Sequence, residues 1–315
     1  MTENQSFDLA GRRVLVAGHR GMAGGAIVRR LQCENCEILT ADRDDLDMRR
    51  QADVEDLLAA LKPDALFLAA AKVGGILANS TRPAEFLYDN LAIETNIIHA
   101  AWRCGVKKLL FLGSSCIYPR EATQPLREEA LLTGPLEPTN ESYAVAKIAG
   151  IRMCHAYRQQ YGCDFISAMP TNLYGPGDRF DLENGHVVAA LIMKVHAAKE
   201  AGHASVVIWG TGTPRREFLY TEDLADGLVF MMKRYSGMSH LNIGTGRDMT
   251  IRELAAAIAG AAGWNGEFTF DRSRPDGMPR KVMDVGRMTK LGWTAKTPFE
   301  EGIRTAYDWY VRNRA

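Results

Sequence analysis

Several things are scarce in this chain, and each scarcity excludes a class of protein. There is no excess of charge of one sign: 38 Lys and Arg balance 38 Asp and Glu, a formal net charge of +0. A nucleic-acid or anionic-membrane partner is therefore not expected. No apolar run approaches the roughly 20 residues of a membrane helix. The start, Met1 to Ala10, is polar and has no signal-peptide core. Cysteine is sparse: Cys33, Cys36, Cys104, Cys116, Cys154 and Cys163 are scattered through 315 residues. At that dilution they read as free thiols of a reducing compartment, so a cytoplasmic protein is expected. Cys33 and Cys36 form a lone CxxC with no second pair or nearby histidine, which is a helix-end turn rather than a metal site. Repeats and low-complexity segments are missing too. What remains, 46% hydrophobic and 24% charged residues, is the composition of a soluble globular chain long enough for one large domain or two smaller ones.

The order of elements points to an architecture. Arg13 to Ala17 is a short apolar run suited to a buried parallel strand. Gly18-His19-Arg20-Gly21-Met22-Ala23-Gly24 follows, then a helix to about Leu31. Strand, glycine turn and helix together are the context of a dinucleotide fingerprint, here spaced Gly-x-x-Gly-x-x-Gly. Gly18 permits the tight turn, Gly21 lets backbone approach a pyrophosphate, and Gly24 lets the helix pack on the strand. The phosphates then sit at a helix N-terminus. Glu37 to Thr40 reads as the second strand, with Arg43 just past its end. An acid there would hold the ribose hydroxyls of NAD, whereas an arginine accepts a 2′-phosphate. Arg20 is a second candidate clamp, and Asp42 lies near. The balance favours NADP(H).

Alternation continues through a helix from Arg49 to Leu61, a strand from Ala65 to Leu68, a long helix from Pro83 to Cys104, and strands at Lys108 to Leu112 and Asp164 to Met169. Such βαβ units predict an α/β fold, a Rossmann-type doubly wound parallel sheet. Ala69-Ala70-Ala71, at the carboxyl end of the third strand, would let a flat ligand lie on the backbone. Past Pro170-Thr171-Asn172-Leu173 the alternation stops, and Pro and Gly become dense. The expected division is a nucleotide-binding domain at 1–172 and 217–244, and a smaller C-terminal α/β substrate domain at 173–216 and 245–315. Within the latter part of the chain, helices are expected from His186 to about Lys199, Thr221 to Arg234, Ile251 to Ala262 and Phe299 to Arg312. Strands are expected at Ser205 to Trp209, Glu267 to Phe270, and His240 to Ile243, the last placed to rejoin the first sheet.

The stretch with the most chemistry is Ser142-Tyr143-Ala144-Val145-Ala146-Lys147. Tyr143 and Lys147 are one helical turn apart and share a face of a helix expected from Tyr143 to Tyr161. An ammonium beside a phenol favours tyrosinate and lowers a pKa that starts near 10. Such a phenol can exchange a proton with a carbonyl or alcohol oxygen. Gly113-Ser114-Ser115-Cys116-Ile117-Tyr118-Pro119, after the fourth strand, brings hydroxyls and a thiol to the same crevice. Each feature alone also has a plain reading, a chance helix pair or an ordinary turn.

Taken in this order, Gly18-x-x-Gly21-x-x-Gly24, Gly113-Ser114-Ser115 and Tyr143-x-x-x-Lys147 resemble the extended short-chain dehydrogenase/reductase family. Longer strings, among them Ala69-Ala-Ala-Lys-Val-Gly-Gly-Ile76 and Pro170-Thr-Asn-Leu-Tyr-Gly-Pro176, are similar to its members that epimerise and reduce 4-keto GDP-sugars. The similarity runs from about Arg13 to the last helix, and only the stretch Arg234 to Ser239 looks short. The resemblance implies an N-terminal domain holding NADP(H) through Gly18, His19, Arg20, Gly21, Met22, Ala23, Gly24, Arg43, Ala70, Ala71, Lys147, Pro170, Asn172, Leu173 and His186. It implies a nucleotide-sugar held by Lys194, Trp209, Arg216, Asp276 and Lys281, with the Arg216 guanidinium suited to the diphosphate. It also implies a homodimer in which the two long helices form a four-helix bundle, and Ile93, Ile97, Ile98, Ile148 and Ile151 are compatible with that. These isoleucines could equally cover the sheet.

Two reactions are implied. In the reduction of a GDP-4-keto-6-deoxy sugar, Tyr143 protonates the ketone oxygen, Ser114 adds a hydrogen bond, and Lys147 holds the ribose and tunes the phenol. Ser114 rather than Ser115 matches the family's serine, by its position relative to Tyr118. In the epimerisation at carbons 3 and 5, Cys116 and His186 match the family's acid/base pair. A thiol near 8.5 and an imidazole near 6.5 bracket neutral pH. Either could be the base, and Cys116 is favoured. The alternatives are a related GDP-sugar epimerase, reductase or dehydratase, including one acting on a dideoxy or heptose substrate, and a non-catalytic NADP-binding regulatory protein. The last should have lost Tyr143 or Lys147.

Overall fold

Burial along the first strands is continuous rather than alternating. Val14 to Ala17 of β1 (Arg13–Ala17), all of β3 (Ala65–Leu68) and all of β4 (Lys108–Leu112) are buried. That pattern belongs to a parallel sheet covered on both faces. The computed structural model describes residues 6–42, 46–182, 185–273 and 276–314. It shows six parallel strands in the order β2-β1-β3-β4-β5-β9, where β2 is Glu37–Leu39, β5 Asp164–Pro170 and β9 Leu241–Ile243. The reversal of strand order at β1 and β3 creates the crevice at the carboxyl ends of these strands where such sheets take ligands.

Helices cover both faces. On one side α2 (Gln51–Leu61), α4 (Pro83–Arg103) and α5 (Glu141–Tyr161) close a core with Leu58, Ile97, Ile98, Phe111 and Ile151. On the other, α1 (Met22–Leu31) and α7 (Thr221–Arg234) bury Ile27, Leu31, Leu224 and Leu228 against Val14 and Val16. Ile93, Ile97, Ile98, Ile148 and Ile151 all lie within this single-chain core. They cover the sheet and present no outer face for a bundle contact. The outward surface of α4 and α5 carries Tyr88, Val145 and Tyr161, exposed, with Trp102 and Tyr161 rings stacked at 4.3 Å.

A third core, holding Tyr174, Leu191, Ile192, Ile208, Leu254, Ile258 and Ile303, joins α6 (Val187–Glu200), α8 (Ile251–Ala262) and α10 (Phe299–Asn313). β7 (Ser205–Trp209) pairs in parallel with β11 (Glu267–Asp271). A small mixed sheet, not foreseen from the sequence, is centred on β8 (Arg215–Tyr220). It is flanked by β10 (Asp248–Thr250), β12 (Arg280–Lys281) and β6 (Asn172–Tyr174). These strands are two to six residues long and pair with segments far away in the chain, so periodicity has little to register. The short helices α3 (Ile76–Thr81) and α9 (Gly286–Leu291) were also not expected.

Candidate active site

The glycine turn is built for close approach. Gly18 has φ +92°, and a Cβ there would sit 2.6 Å from the Ala70 amide nitrogen. A Cβ on Gly24 would collide with the Gly18 carbonyl oxygen, so the start of α1 can press on β1 only without a side chain. Gly21 differs: its nearest neighbour, the Gly18 oxygen, would be 3.4 Å from a Cβ. The chain itself scarcely requires glycine there, which leaves backbone approach by a ligand as the physical reason. Met22 and Ala23 open α1 above this turn. Gly177, in the loop after β6, brings its Cα face to within van der Waals reach of Met22. Pro170, Asn172 and Leu173 line the passage from β5 to β6, where the Asn172 amide donates to the Glu217 carbonyl at 2.8 Å. The residues present fit a dinucleotide. Beyond β2, Asp42 Oδ1 lies 2.8 Å from Arg20 Nε and 3.0 Å from His19 Nε2, so Arg20 is held by an acid. Arg43 lies outside the described residues.

Tyr143 and Lys147 lie on the first two turns of α5, facing the turn after β4. Ser114 caps a short 3₁₀ turn, Ser115–Ile117, and accepts from the Cys116 amide at 3.4 Å. It also faces the Tyr143 side chain. Ser115 is buried. Lys147 is buried, with Nζ 3.1 Å from the Leu112 carbonyl oxygen and 2.8 Å from Glu94 Oε1. It lies 5.8 Å from the centre of the Tyr143 ring. The expected depression of the Tyr143 pKa is not found in the chain alone. Burial pushes the phenol well above its ordinary value, Cys116 and Glu94 add to this, and only the Ser114 hydroxyl opposes it. Tyr143 is thus a firmly protonated donor.

Cys116 is buried one turn from Ser114. Burial raises its thiol pKa, while the Lys281 ammonium and the Ser114 hydroxyl pull it back. His186 is elsewhere. It forms the N-cap of α6, its side chain is exposed, and its ring nitrogen Nδ1 is 3.9 Å from Asp178 Oδ1. The structure joins Ser114, Cys116, Tyr143 and Lys147 in one cluster and leaves His186 on a separate segment.

The remaining predicted residues form a second group. Lys194 Nζ donates to the Val207 carbonyl at 3.1 Å and lies 5.2 Å from the centre of the half-exposed Trp209 ring. Arg216 on β8 is in register with Lys281 on β12, and burial lowers its pKa while Asp276 opposes. Asp276 is occupied within the chain: its oxygens accept from the Thr211 amide at 2.7 Å and the Thr211 hydroxyl at 2.8 Å. It shapes the Gly210–Thr213 loop.

Three side chains escaped sequence reasoning. Glu217, fully buried, accepts from the amides of Thr245, Gly246 and Met283 at 2.6, 2.8 and 2.7 Å, stapling β8 to the segments that end in β10 and begin after β12. Asn90 clamps Lys72, accepting from its amide at 2.9 Å and donating to its carbonyl at 3.0 Å, which fixes the strip after Ala71. Glu94 pairs with Lys147. For Asn90 and Glu94 a signal was present: each interrupts the apolar stripe of α4 formed by Phe86, Ile93, Ile97 and Ile98.

A parallel sheet with a glycine turn and a Ser-Tyr-Lys cluster defines a nucleotide-dependent enzyme of the epimerase and reductase type. The model of the NAD dependent epimerase/dehydratase family matches residues 14–244, and the chain belongs to that family. It is 57% identical over 307 residues to the GDP-L-fucose synthase of Sinorhizobium fredii strain NGR234, with 98% of each chain covered. It is 50% identical to the GDP-L-fucose synthase of Escherichia coli strain K12, over 96% of this chain and 98% of that one. A solved GDP-L-fucose synthetase from Naegleria fowleri bound to NADP superimposes with TM-score 0.91 at 29% identity, covering 99% and 96% of the two chains.

Proposed function

We propose that this chain is an NADP-dependent enzyme that converts GDP-4-keto-6-deoxy-D-mannose to GDP-L-fucose, epimerising carbons 3 and 5 and reducing carbon 4. The observation that carries the reading is the cluster of Ser114, Cys116, Tyr143 and Lys147 in a chain 57% identical to a GDP-L-fucose synthase over nearly its full length. The same cluster disfavours a non-catalytic regulator, which has no use for a buried thiol and ammonium gathered around a phenol. Identity at this level disfavours the dideoxy and heptose alternatives.

The Gly18–Gly24 turn with Ala70, Ala71 and the β5–β6 passage would hold NADPH, which would supply a hydride to the ketone carbon. Tyr143 gives its proton to the ketone oxygen, and Ser114 donates a second hydrogen bond to the charge developing there. Burial strengthens that hydrogen bond. The tyrosinate left behind sits on the same helix face as Lys147. In the epimerisation, one of Cys116 and His186 removes a proton from the carbon beside the ketone and the other returns one on the opposite face. Their placement on separate segments, the turn after β4 and the N-cap of α6, suits delivery from two sides. Arg216 pairs with the diphosphate, and Lys194, Trp209, Asp276 and Lys281 complete the nucleotide-sugar site.

The lobe formed by 173–216 and 245–315 is the sugar-nucleotide domain in this reading, with 1–172 and 217–244 holding the dinucleotide. The outer face of α4 and α5, with Tyr88, Trp102, Val145 and Tyr161, is the surface for a homodimer. The six free thiols fit the reducing cytoplasm. Mixing the protein with GDP-4-keto-6-deoxymannose and NADPH should bring loss of the NADPH absorbance. No loss, with NADPH bound, contradicts the assignment.

A further inference from the structure

Glu94 is an acid in the wrong place for a surface helix. It is buried, 1% exposed, on the sheet-facing stripe of α4. Its Oε1 lies 2.8 Å from Lys147 Nζ, and Lys147 is itself 1% exposed. The contact with Lys147 is an ion pair by distance, and among the described residues neither carboxylate oxygen of Glu94 has a hydrogen-bond partner of good geometry. Room for it is made at Gly150, one turn after Lys147, where a Cβ would lie 2.8 Å from Oε2 and collide with the Phe111 ring. Burying an acid costs stability unless something is gained. The ammonium it meets is the one that Tyr143 needs.

We propose that Glu94 is a positioning residue of the reductive site: its carboxylate fixes the Lys147 ammonium and cancels its charge, so that the site is built to donate a proton to a ketone rather than to act as a base toward an alcohol. This deepens the reductase reading above and rests on it. The Glu94 carboxylate lies 2.8 Å from the Lys147 ammonium, and an ion pair of opposite unit charges carries no net charge. An unbalanced ammonium on the same helix face would pull the Tyr143 phenol toward tyrosinate. Among the described residues the groups facing the pair offer no other balance. From α5 these are Tyr143 and Cys154, from the turn after β4 Cys116, and from β4 the Phe111 ring, 4.8 Å from Lys147 Nζ, and the Leu112 carbonyl. The Leu112 oxygen contributes a dipole but no charge. Burial also raises the Glu94 pKa, as expected for an acid held by a single cation.

The test is Glu94→Gln, which keeps the shape and an amide oxygen beside Lys147 but removes the charge. Purified protein without substrate is labelled at the tyrosine Cζ carbon, and Tyr143→Phe assigns the resonance. In Glu94→Gln the Tyr143 signal should titrate with a midpoint lower than wild type by about one pH unit or more. The alkaline fall in kcat for NADPH-dependent reduction should move down by a similar amount. Glu94→Asp, which restores the charge, should return both toward wild type. A Tyr143 midpoint and alkaline limb unchanged in Glu94→Gln, in a variant that unfolds cooperatively like wild type, would overturn the proposal and leave Glu94 a packing residue. Failure of the wild type to reduce the GDP-sugar would instead count against the reductase reading, while the resonance titration still decides the role of Glu94.

Discussion

The Cys116 amide donates to the Ser114 hydroxyl oxygen at 3.4 Å. One turn thus ties the proposed epimerising thiol to the proposed reducing serine, while His186 stands apart with Asp178. The two chemistries share a wall but call on different acids and bases, so they should separate on mutation.

Cys116→Ser and His186→Asn should each slow exchange of solvent deuterium into the 4-keto sugar, followed by mass spectrometry without NADPH. Both should still reduce the ketone when NADPH is added, giving an incompletely epimerised product. Tyr143→Phe should do the reverse, keeping exchange and losing reduction by about 10²-fold or more. Wild-type exchange in both the cysteine and histidine variants would make the protein a simple ketoreductase.

The direction of the Cys116 shift gives a pH dependence. Burial raises this thiol, with Lys281 and Ser114 opposing, so the thiol form dominates at neutral pH. If Cys116 is the base, only the thiolate works, and its fraction grows about tenfold per pH unit below the pKa. Deuterium exchange without NADPH should therefore climb from neutral pH toward the thiol's raised pKa. A flat or falling profile would make Cys116 the proton donor and His186 the base.

Arg20 and Asp42 bear on cofactor choice. A guanidinium that moves from Asp42 to a 2′-phosphate favours NADPH only by the difference between those contacts. Arg20→Ala should weaken NADPH binding about tenfold more than NADH binding, the scale of one charged hydrogen bond. Equal losses in fluorescence titrations of both nucleotides would remove Arg20 from the clamp.

Glu217 is a stability prediction. Glu217→Ala leaves the amides of Thr245, Gly246 and Met283 without their acceptor. A loss of about 3 kcal/mol or more is expected in urea unfolding. A change under about 1 kcal/mol would mean that the three segments are held by packing alone.

How much could be read beforehand follows the kind of signal each element leaves. Thr221–Arg234 and Ile251–Ala262 have the bounds their apolar periodicity indicates, and β1, β3 and β4 announce themselves by unbroken apolar runs. The β8 sheet does not, because Arg215-Arg216-Glu217 is polar and finds its partners at Thr250 and Arg280. Motif spacing led to Ser114, Tyr143 and Lys147 as neighbours. It could not show that Lys147 is shared with Glu94, since the distance between α4 and α5 is set by Gly150 and Phe111 and no periodicity records it. The phenol's raised pKa escaped for the same reason: desolvation depends on everything packed around a group, and spacing along one helix gives only the nearest charge.

The central claim is that one chain both inverts carbons 3 and 5 and reduces carbon 4. The most direct measurement is NMR of the product formed from GDP-4-keto-6-deoxy-D-mannose and NADPH in deuterium oxide. The account predicts GDP-L-fucose, carrying solvent deuterium at carbons 3 and 5. A reduced 6-deoxy sugar with the configuration of the starting sugar retained and no deuterium at those carbons would contradict it.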